Sequence, residues 1–85
     1  MQPAPLKLYV KTWCPWCVVA QEWLDARDYR YELIDVESDA AAYAEMIRLS
    51  GQRRTPTLVT GVGEVLPDFG PDELELFIGK HSLAP

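Results

Sequence analysis

Two cysteines stand three positions apart, at Cys14 and Cys17, and the 85-residue chain has no other cysteine. Thiols at this spacing can exchange with a disulfide of another molecule, because the second sulfur can attack the mixed disulfide that the first one forms. A disulfide between them would close a very short loop and would add little stability. The pair therefore indicates redox chemistry, with Cys14 as the attacking thiolate and Cys17 as the resolving thiol.

The residues around the first cysteine favour its ionised form. Cys14 lies where a strand-like segment meets a helix-like one, and the first turn of a helix offers unpaired N–H groups and the positive end of the helix dipole. Lys11 adds a cation nearby, and Pro15 suits the first helical turn because its missing N–H is not needed there. Trp16 is predicted to face solvent as a docking surface, and the alternative is a half-buried packing residue.

A zinc site is the alternative chemistry for the two cysteines. A structural zinc site needs four ligands and a catalytic one needs three. The single histidine, His81, lies near the C-terminus, so a zinc site within one chain is disfavoured and no metal site is expected. We expect His81 to be a solvated residue at the end of a helix.

The period-2 alternation typical of strands and the 3.6-residue apolar spacing typical of helices predict seven segments of secondary structure. These segments must position the dithiol. They are strand 6–10, helix 14–28, strand 31–36, a helix from a cap at Ser38 or Asp39 to Leu49, strand 57–60, strand 64–66 and helix 71–80. Gly51 is expected to end the second helix, and residues 61–63 are expected to form a hairpin turn.

The apolar stripes of these helices should face a common sheet. The residues expected to be buried are Val18, Ala20, Trp23, Leu24 and Ala26 in the first helix, Ala42, Met46 and Leu49 or Ile47 in the second, and Leu74, Phe77 and Ile78 in the third. The first two strands should be parallel and the last two antiparallel. The order β-α-β-α-β-β-α, a four-stranded mixed sheet flanked by three helices, resembles the thioredoxin-like α/β fold.

Composition predicts one globular domain over residues 1–85. The net charge of −5 argues against nucleic-acid binding, and no apolar run approaches the ~18 residues that a membrane span needs. Residues 1–5 lack the basic and apolar regions of a signal peptide. We therefore expect a cytoplasmic protein, where closely spaced cysteines are redox-active rather than structural, and a monomer.

Three segments, in order, resemble the glutaredoxin family: residues 9–17 around the dithiol, residues 50–56, and residues 69–74. Trp16 stands where glutaredoxins usually have tyrosine. The segments span nearly the whole chain, so the chain is identified as similar to glutaredoxins. The resemblance implies a thiol–disulfide oxidoreductase that reduces protein disulfides or glutathione-mixed disulfides, uses glutathione as a co-substrate and holds no cofactor tightly.

The resemblance also implies a glutathione-binding surface. The proline that precedes the third strand would be cis and lie against the sulfurs, and the backbone before it would hold the cysteinyl part of glutathione. Cations would meet the glycine carboxylate, and the start of the last helix would meet the γ-glutamyl end. The implied residues are Lys11, Trp16, Arg53, Arg54, Thr55, Pro56, Gly70 and Asp72.

Two positions depart from the usual family pattern. Thr55 stands where valine usually precedes the cis-proline, and Gly70 and Pro71 replace a glycine pair, so one N–H that could contact glutathione is missing. Residues 69–72 also resemble the redoxins that serve ribonucleotide reductase. Those redoxins draw electrons from thioredoxin reductase, which is therefore an alternative electron donor.

Two further alternatives remain open. Some glutaredoxins form a dimer that shares a [2Fe–2S] cluster through the first cysteine, here Cys14, although Pro15 disfavours this. The chain could also be a non-redox interaction domain, in which Trp13 and Trp16 would form a partner surface, because a fold does not by itself imply a function.

Overall fold

The elements of the fold follow the predicted order. The computed structural model describes residues 6–85, and the expectation about residues 1–5 lies outside this range. Its elements are β1 Leu6–Val10, α1 Pro15–Ala26, β2 Tyr31–Asp35, α2 Ala40–Ser50, β3 Thr57–Val59, β4 Val65–Pro67 and α3 Pro71–Lys80. The strands form one mixed sheet in the order β2-β1-β3-β4, in which β1 and β2 are parallel and the other two pairs are antiparallel. The predicted four-stranded mixed sheet with three helices is therefore confirmed.

β1 lies between β2 and β3, and both of its faces are covered. Leu6, Leu8 and Val10 belong to the core cluster that contains residues of α1 and α3, whereas Tyr9 belongs to the cluster on the α2 side. This division follows the period-2 alternation of strand side chains. The carboxyl end of β1, which leads into the dithiol, is therefore fixed on both faces of the sheet.

α1 begins directly after Cys14, which is its N-cap residue, and Pro15 occupies the first helical position. The helix ends at Ala26 rather than at the predicted Asp28. The reason is that Asp28 adopts a left-handed conformation, with φ of 60°, and the N–H of Tyr29 turns back to the carbonyl of Leu24 at 3.0 Å. This closing geometry stops the helix two residues early.

Two residues that were predicted to lie in the core stripe of α1 lie in solvent instead. Val18 is 47% exposed and Ala26 is also exposed, so both predictions were wrong. The buried residues of the helix are Cys17, Ala20 and Leu24, which are spaced by three and four positions. This narrow stripe is typical of a helix that packs on one side only, and Val18 lies about 100° around the helix from Cys17.

The ends of α2 agree with the sequence. The carboxylate of Asp39 accepts a hydrogen bond from the N–H of Ala42 at 3.0 Å and caps the helix, and Gly51, with φ of 71°, ends it. Met46 is fully buried, and the other predicted α2 core residues, Ala42, Ile47 and Leu49, are half-buried.

α3 buries the three predicted residues, Leu74, Phe77 and Ile78. His81 at its end is not a freely solvated residue, which corrects the expectation. Its imidazole contacts the carboxylate of Glu64, and its ring centre lies 4.5 Å from that of Phe77. His81 therefore ties the end of α3 to the turn between β3 and β4. No helix within residues 6–85 is long and apolar enough to cross a membrane.

Candidate active site

The two cysteines lie at the start of α1, next to the loop that precedes β3. Both are free thiols, and both are buried, with 6% of Cys14 and 1% of Cys17 exposed. The N–H of Cys17 donates a hydrogen bond to the Sγ of Cys14 at 3.3 Å, and this sulfur lies 3.5 Å from the carbonyl oxygen of Thr55. The more exposed of the two residues is therefore the one whose sulfur accepts an N–H of the helix terminus.

The environments of the two sulfurs separate their acidities. Burial raises the pKa of Cys14, but hydrogen bonds from Cys17, Thr55 and the first backbone N–H groups of the helix outweigh burial, and the pKa lies below its ordinary value. Burial raises the pKa of Cys17 to about 11, and its hydrogen bond to Cys14 adds to this effect. The thiolate is the nucleophile in disulfide exchange, so the pair consists of one activated and one protonated sulfur.

The loop opposite the sulfurs contains the Thr55–Pro56 peptide bond, which is cis, as the family resemblance implied. Pro56 is fully buried, and its carbonyl oxygen accepts a hydrogen bond from the N–H of Asp68 at 2.9 Å. This contact joins the loop to the end of β4. The backbone of Thr55 is thereby held beside the Sγ of Cys14.

Gln52 organises the same loop, a role that the sequence did not indicate. Its side-chain amide donates hydrogen bonds to the hydroxyls of Ser50 at 2.9 Å and Thr57 at 3.0 Å, and its oxygen accepts one from the N–H of Arg54 at 2.6 Å. The hydroxyl of Thr57 in turn donates to the carbonyl of Arg54 at 2.8 Å. These contacts define the path of the backbone from α2 into β3.

The structure places Lys11 against the backbone of Arg53 and pairs Arg54 with an acidic residue. The Nζ of Lys11 donates a hydrogen bond to the carbonyl of Arg53 at 3.3 Å and lies 5.5 Å from the ring centre of Trp13. Arg53 and Arg54 are both exposed, but a guanidinium nitrogen of Arg54 lies 3.4 Å from the carboxylate of Asp68. The ammonium group of Lys11 therefore lies against the loop, and the exposed side chain of Arg53 belongs to the same loop.

The start of α3 meets the start of α1 through Trp16 and Gly70. The ring of Trp16 lies 3.6 Å from the point where a Cβ on Gly70 would stand, and the Trp16 side chain is 57% exposed. The N–H of Gly70 donates to the carboxylate of Glu73 at 3.0 Å. Asp72 is exposed in the first turn of α3. The contact between Trp16 and Gly70 therefore brings the first turn of α3 against the first turn of α1, which contains the dithiol.

Glu37 is a further residue of the site that the sequence did not identify. Its carboxylate accepts hydrogen bonds from the N–H and the hydroxyl of Thr12, at 2.9 and 3.0 Å, and from the indole N–H of Trp13 at 2.7 Å. The backbone hydrogen bond from Thr12 is the main cause that lowers the pKa of Glu37, so the carboxylate is ionised at neutral pH. Glu37 thus holds the segment immediately before Cys14.

Comparison with known proteins agrees with this geometry. The model of the family described as Glutaredoxin matches residues 6–65, which is more than half of the chain. The chain belongs to the glutaredoxin family. Glutaredoxin 3 from Escherichia coli strain K12 is 29% identical over 82 residues, a span that covers 96% of this chain and 95% of that relative.

Solved structures share the same fold. The thioredoxin-like protein BC3987 superposes with a TM-score of 0.76 at 34% identity, over 84% of this chain and 96% of that chain. A buckwheat glutaredoxin in complex with glutathione superposes with a TM-score of 0.69 at 25% identity, over 92% of this chain and 70% of that chain. As a member of the glutaredoxin family, this protein is a thiol oxidoreductase with a thioredoxin-like fold.

Proposed function

We propose that this glutaredoxin-family protein reduces disulfides in client proteins and mixed disulfides between proteins and glutathione, with glutathione as co-substrate and in the cytoplasm. The observation that carries the proposal is the unequal pair of thiols at the start of α1. Cys14 accepts the N–H of Cys17 at 3.3 Å and has a lowered pKa, whereas the pKa of Cys17 is raised to about 11. Cys14 is thus suited to be the attacking thiolate, and Cys17 stays protonated until it resolves the mixed disulfide.

The first step is attack by the Cys14 thiolate on one sulfur of the client disulfide. A new S–S bond forms to Cys14, the client S–S bond breaks, and the released client thiolate takes a proton from solvent. The N–H of Cys17, which solvated the thiolate, remains aimed at the same sulfur in the mixed disulfide.

The second step has two routes. For a protein disulfide, Cys17 loses its proton and attacks the Sγ of Cys14, which releases the second client thiol and oxidises the pair to a disulfide. Two molecules of glutathione then reduce this disulfide and become glutathione disulfide. For a mixed disulfide between a protein and glutathione, Cys14 attacks the glutathione sulfur, forms a disulfide with glutathione and releases the protein thiol. A second glutathione then attacks the glutathione sulfur of this disulfide and leaves as glutathione disulfide, so Cys17 is not needed.

The surface beside the dithiol supports glutathione as the small partner. Lys11 and Arg53 place positive charge next to the loop, where the glycine carboxylate would bind. The backbone of Thr55, beside Cys14, would pair with the cysteinyl part as an added strand does. The structural relative from buckwheat was solved with glutathione, which supports the same ligand here.

A second candidate concerns the electron donor, and the start of α3 favours it. The N–H of Gly70 is already engaged by Glu73, and Pro71 has no N–H to offer. Arg54 is paired with Asp68. These features reduce the number of free groups for the γ-glutamyl and glycine ends of glutathione, so thioredoxin reductase is the alternative donor.

An NADPH-coupled assay tests both candidates. One set of reactions contains glutathione and glutathione reductase, and the other contains thioredoxin reductase, each with insulin as a protein disulfide and with a glutathionylated peptide. Cys14→Ser should abolish turnover of both substrates. Cys17→Ser should abolish insulin reduction but retain turnover of the glutathionylated peptide in the glutathione reactions.

The pattern of the two variants decides the proposal. Equal and small losses in both serine variants would contradict a dithiol mechanism. Activity that appears only with thioredoxin reductase would show that this enzyme, and not glutathione, is the electron donor. The roles of Cys14 and Cys17 would be unaffected by that result. The exposed residue Val18 provides a control, because Val18→Ala lies one position beyond the dithiol on the solvent side of α1 and should retain full activity.

A further inference from the structure

Glu37 lies outside the dithiol and the predicted glutathione-binding residues, yet it makes the densest set of contacts to the segment before Cys14. One carboxylate oxygen accepts from both donors of Thr12, and the other oxygen accepts from the indole of Trp13. The partners are 24 and 25 positions away in the sequence. A single exposed side chain therefore joins the end of β2 to the segment that follows β1.

The segment that Glu37 holds is a tight turn. The N–H of Cys14 donates to the carbonyl of Lys11 at 3.2 Å, which closes the turn around Thr12 and Trp13. Glu37 is itself held, because its own N–H donates to the carboxylate of Asp35 at 2.9 Å. The turn is thus fixed both by its own backbone and by a neighbouring element.

Trp13 is the residue whose position depends most on this carboxylate. It is 68% exposed, so packing alone does not fix its ring, and it directly precedes the nucleophile. The contacts that orient it are the hydrogen bond to Glu37 at 2.7 Å and the Nζ of Lys11, 5.5 Å from the ring centre. A large exposed aromatic side chain held in one orientation is suited to contact a bound partner.

We propose that Glu37 is a positioning residue for client recognition, which fixes Trp13 as an ordered wall beside Cys14. The inference rests on the proposed reduction of protein disulfides. Glu37 acts on the affinity for the protein client and not on the chemistry of the sulfur, because the N–H that donates to the Cys14 sulfur belongs to Cys17, which Glu37 does not contact. An open groove of about 390 Å³ lined by Lys11, Glu37 and Tyr43, among others, continues this surface towards α2.

The variant Glu37→Gln separates the contact of residue 37 with Thr12 from its contact with Trp13. The amide oxygen of glutamine can still accept from Thr12, but its NH₂ group faces the indole N–H, so two donors meet and the hydrogen bond to Trp13 is lost. Glu22→Gln is the matched control, because Glu22 is an exposed acid on α1 and is removed with the same change of charge. Trp13→Phe removes the indole donor from the other side.

The first measurement needs no turnover. In ¹H–¹⁵N NMR spectra, the indole signal of Trp13, assigned from Trp13→Phe, should exchange with solvent about tenfold faster in Glu37→Gln than in Glu22→Gln, because a hydrogen bond to a charged group is lost. An unchanged exchange rate would show that Glu37 does not hold Trp13 and would overturn the proposal.

The second measurement uses insulin reduction in a double-mutant cycle. Glu37→Gln should raise KM by several-fold, up to about tenfold, because the ordered orientation becomes a minor population, with kcat within about twofold of wild type. The same substitution in the Trp13→Phe background should leave KM unchanged, since the effect passes through the indole.

The outcomes separate this inference from the proposed function. A fall in kcat at constant KM, an equal rise in KM in both backgrounds, or no difference from Glu22→Gln would each overturn the role of Glu37 while the protein remains an active reductase. A wild-type protein that reduces no disulfide would overturn the proposed function and this inference with it.

Discussion

Selective alkylation of the two thiols is the sharpest test of the site. Native protein is treated with less than one equivalent of iodoacetamide at pH 7, and the thiolate is the species that reacts. With a pKa of about 11 in place of 9.0, Cys17 is ionised in about 1 molecule in 10,000, compared with about 1 in 100 for an ordinary thiol. Cys17 should therefore react about 100-fold more slowly than an ordinary cysteine, whereas the lowered pKa of Cys14 makes it react faster.

The assay reads both positions in one peptide. No lysine or arginine stands between Cys14 and Cys17, so trypsin leaves both on the same peptide and fragment ions in the mass spectrum assign the label. Native protein should carry the label on Cys14 at a ratio above about 100 to 1. In concentrated urea the structural difference disappears, and the two positions should react at similar rates.

The pH dependence distinguishes acidity from steric protection. Because the folded-state pKa of Cys17 is raised, its labelling rate should rise about tenfold per pH unit until the pH approaches about 11, whereas the rate at Cys14 should level off below its ordinary pKa. Steric protection alone would give two parallel pH profiles. Equal labelling of the native pair, or preferential labelling of Cys17, would refute the assignment of the nucleophile.

Three substitutions test the frame around the site, each by urea denaturation. No atom lies within 4 Å of a Cβ added at Gly51 or at Gly79, so only the backbone conformation should decide the effect of alanine at either position. Gly51→Ala should destabilise the protein by about 1 kcal/mol because φ is 71°, whereas Gly79→Ala, inside α3, should stabilise it by about 0.5–1 kcal/mol. Equal effects of the two substitutions would contradict the backbone argument. Thr57→Val should cost about 1–3 kcal/mol, since it leaves one N–H of the Gln52 side-chain amide and the carbonyl of Arg54 without their Thr57 partner, and a neutral result would show that the network adds nothing. Met46→Ala should cost about 2–5 kcal/mol because the side chain is fully buried, while the native labelling ratio of the two cysteines should not change.

The sequence predicts the fold well because its local signals agree with one another. The alternation in β1, the Asp39 cap and the Gly51 stop of α2 each point to the element that is found. The errors have local causes. Val18 fits an apolar stripe by residue type, but a helix that packs on one side buries only a narrow row, and the end of α1 depends on a left-handed Asp28 where glycine would have given a clear signal.

His81 and Gln52 show what a single sequence cannot indicate. The contact of His81 with Glu64 and the hydrogen bonds of Gln52 to Ser50 and Thr57 depend on how separate elements pack, and neither residue has a pattern around it that reveals its partners. The N–H groups that the helix terminus offers to Cys14, in contrast, follow from the strand-to-helix junction, although burial and the neighbouring Thr55 also set the acidity of the pair. A feature of the site that arises at one strand-to-helix junction can be predicted from the sequence, whereas hydrogen bonds between separate elements of the fold cannot.

Glu37 lies between these two cases, and its role follows from one topological rule. β1 and β2 are parallel, with Val10 opposite Asp35 in the register. The chain leaves both strands at the same edge of the sheet, so residues two positions beyond each strand, Thr12 and Glu37, come to lie side by side. A carboxylate at that position meets the free donors of the segment before the nucleophile. In a parallel β-α-β unit with a dithiol after the first strand, the residues just after the second strand are therefore the place to look for the side chain that orients the entrance to the thiolate.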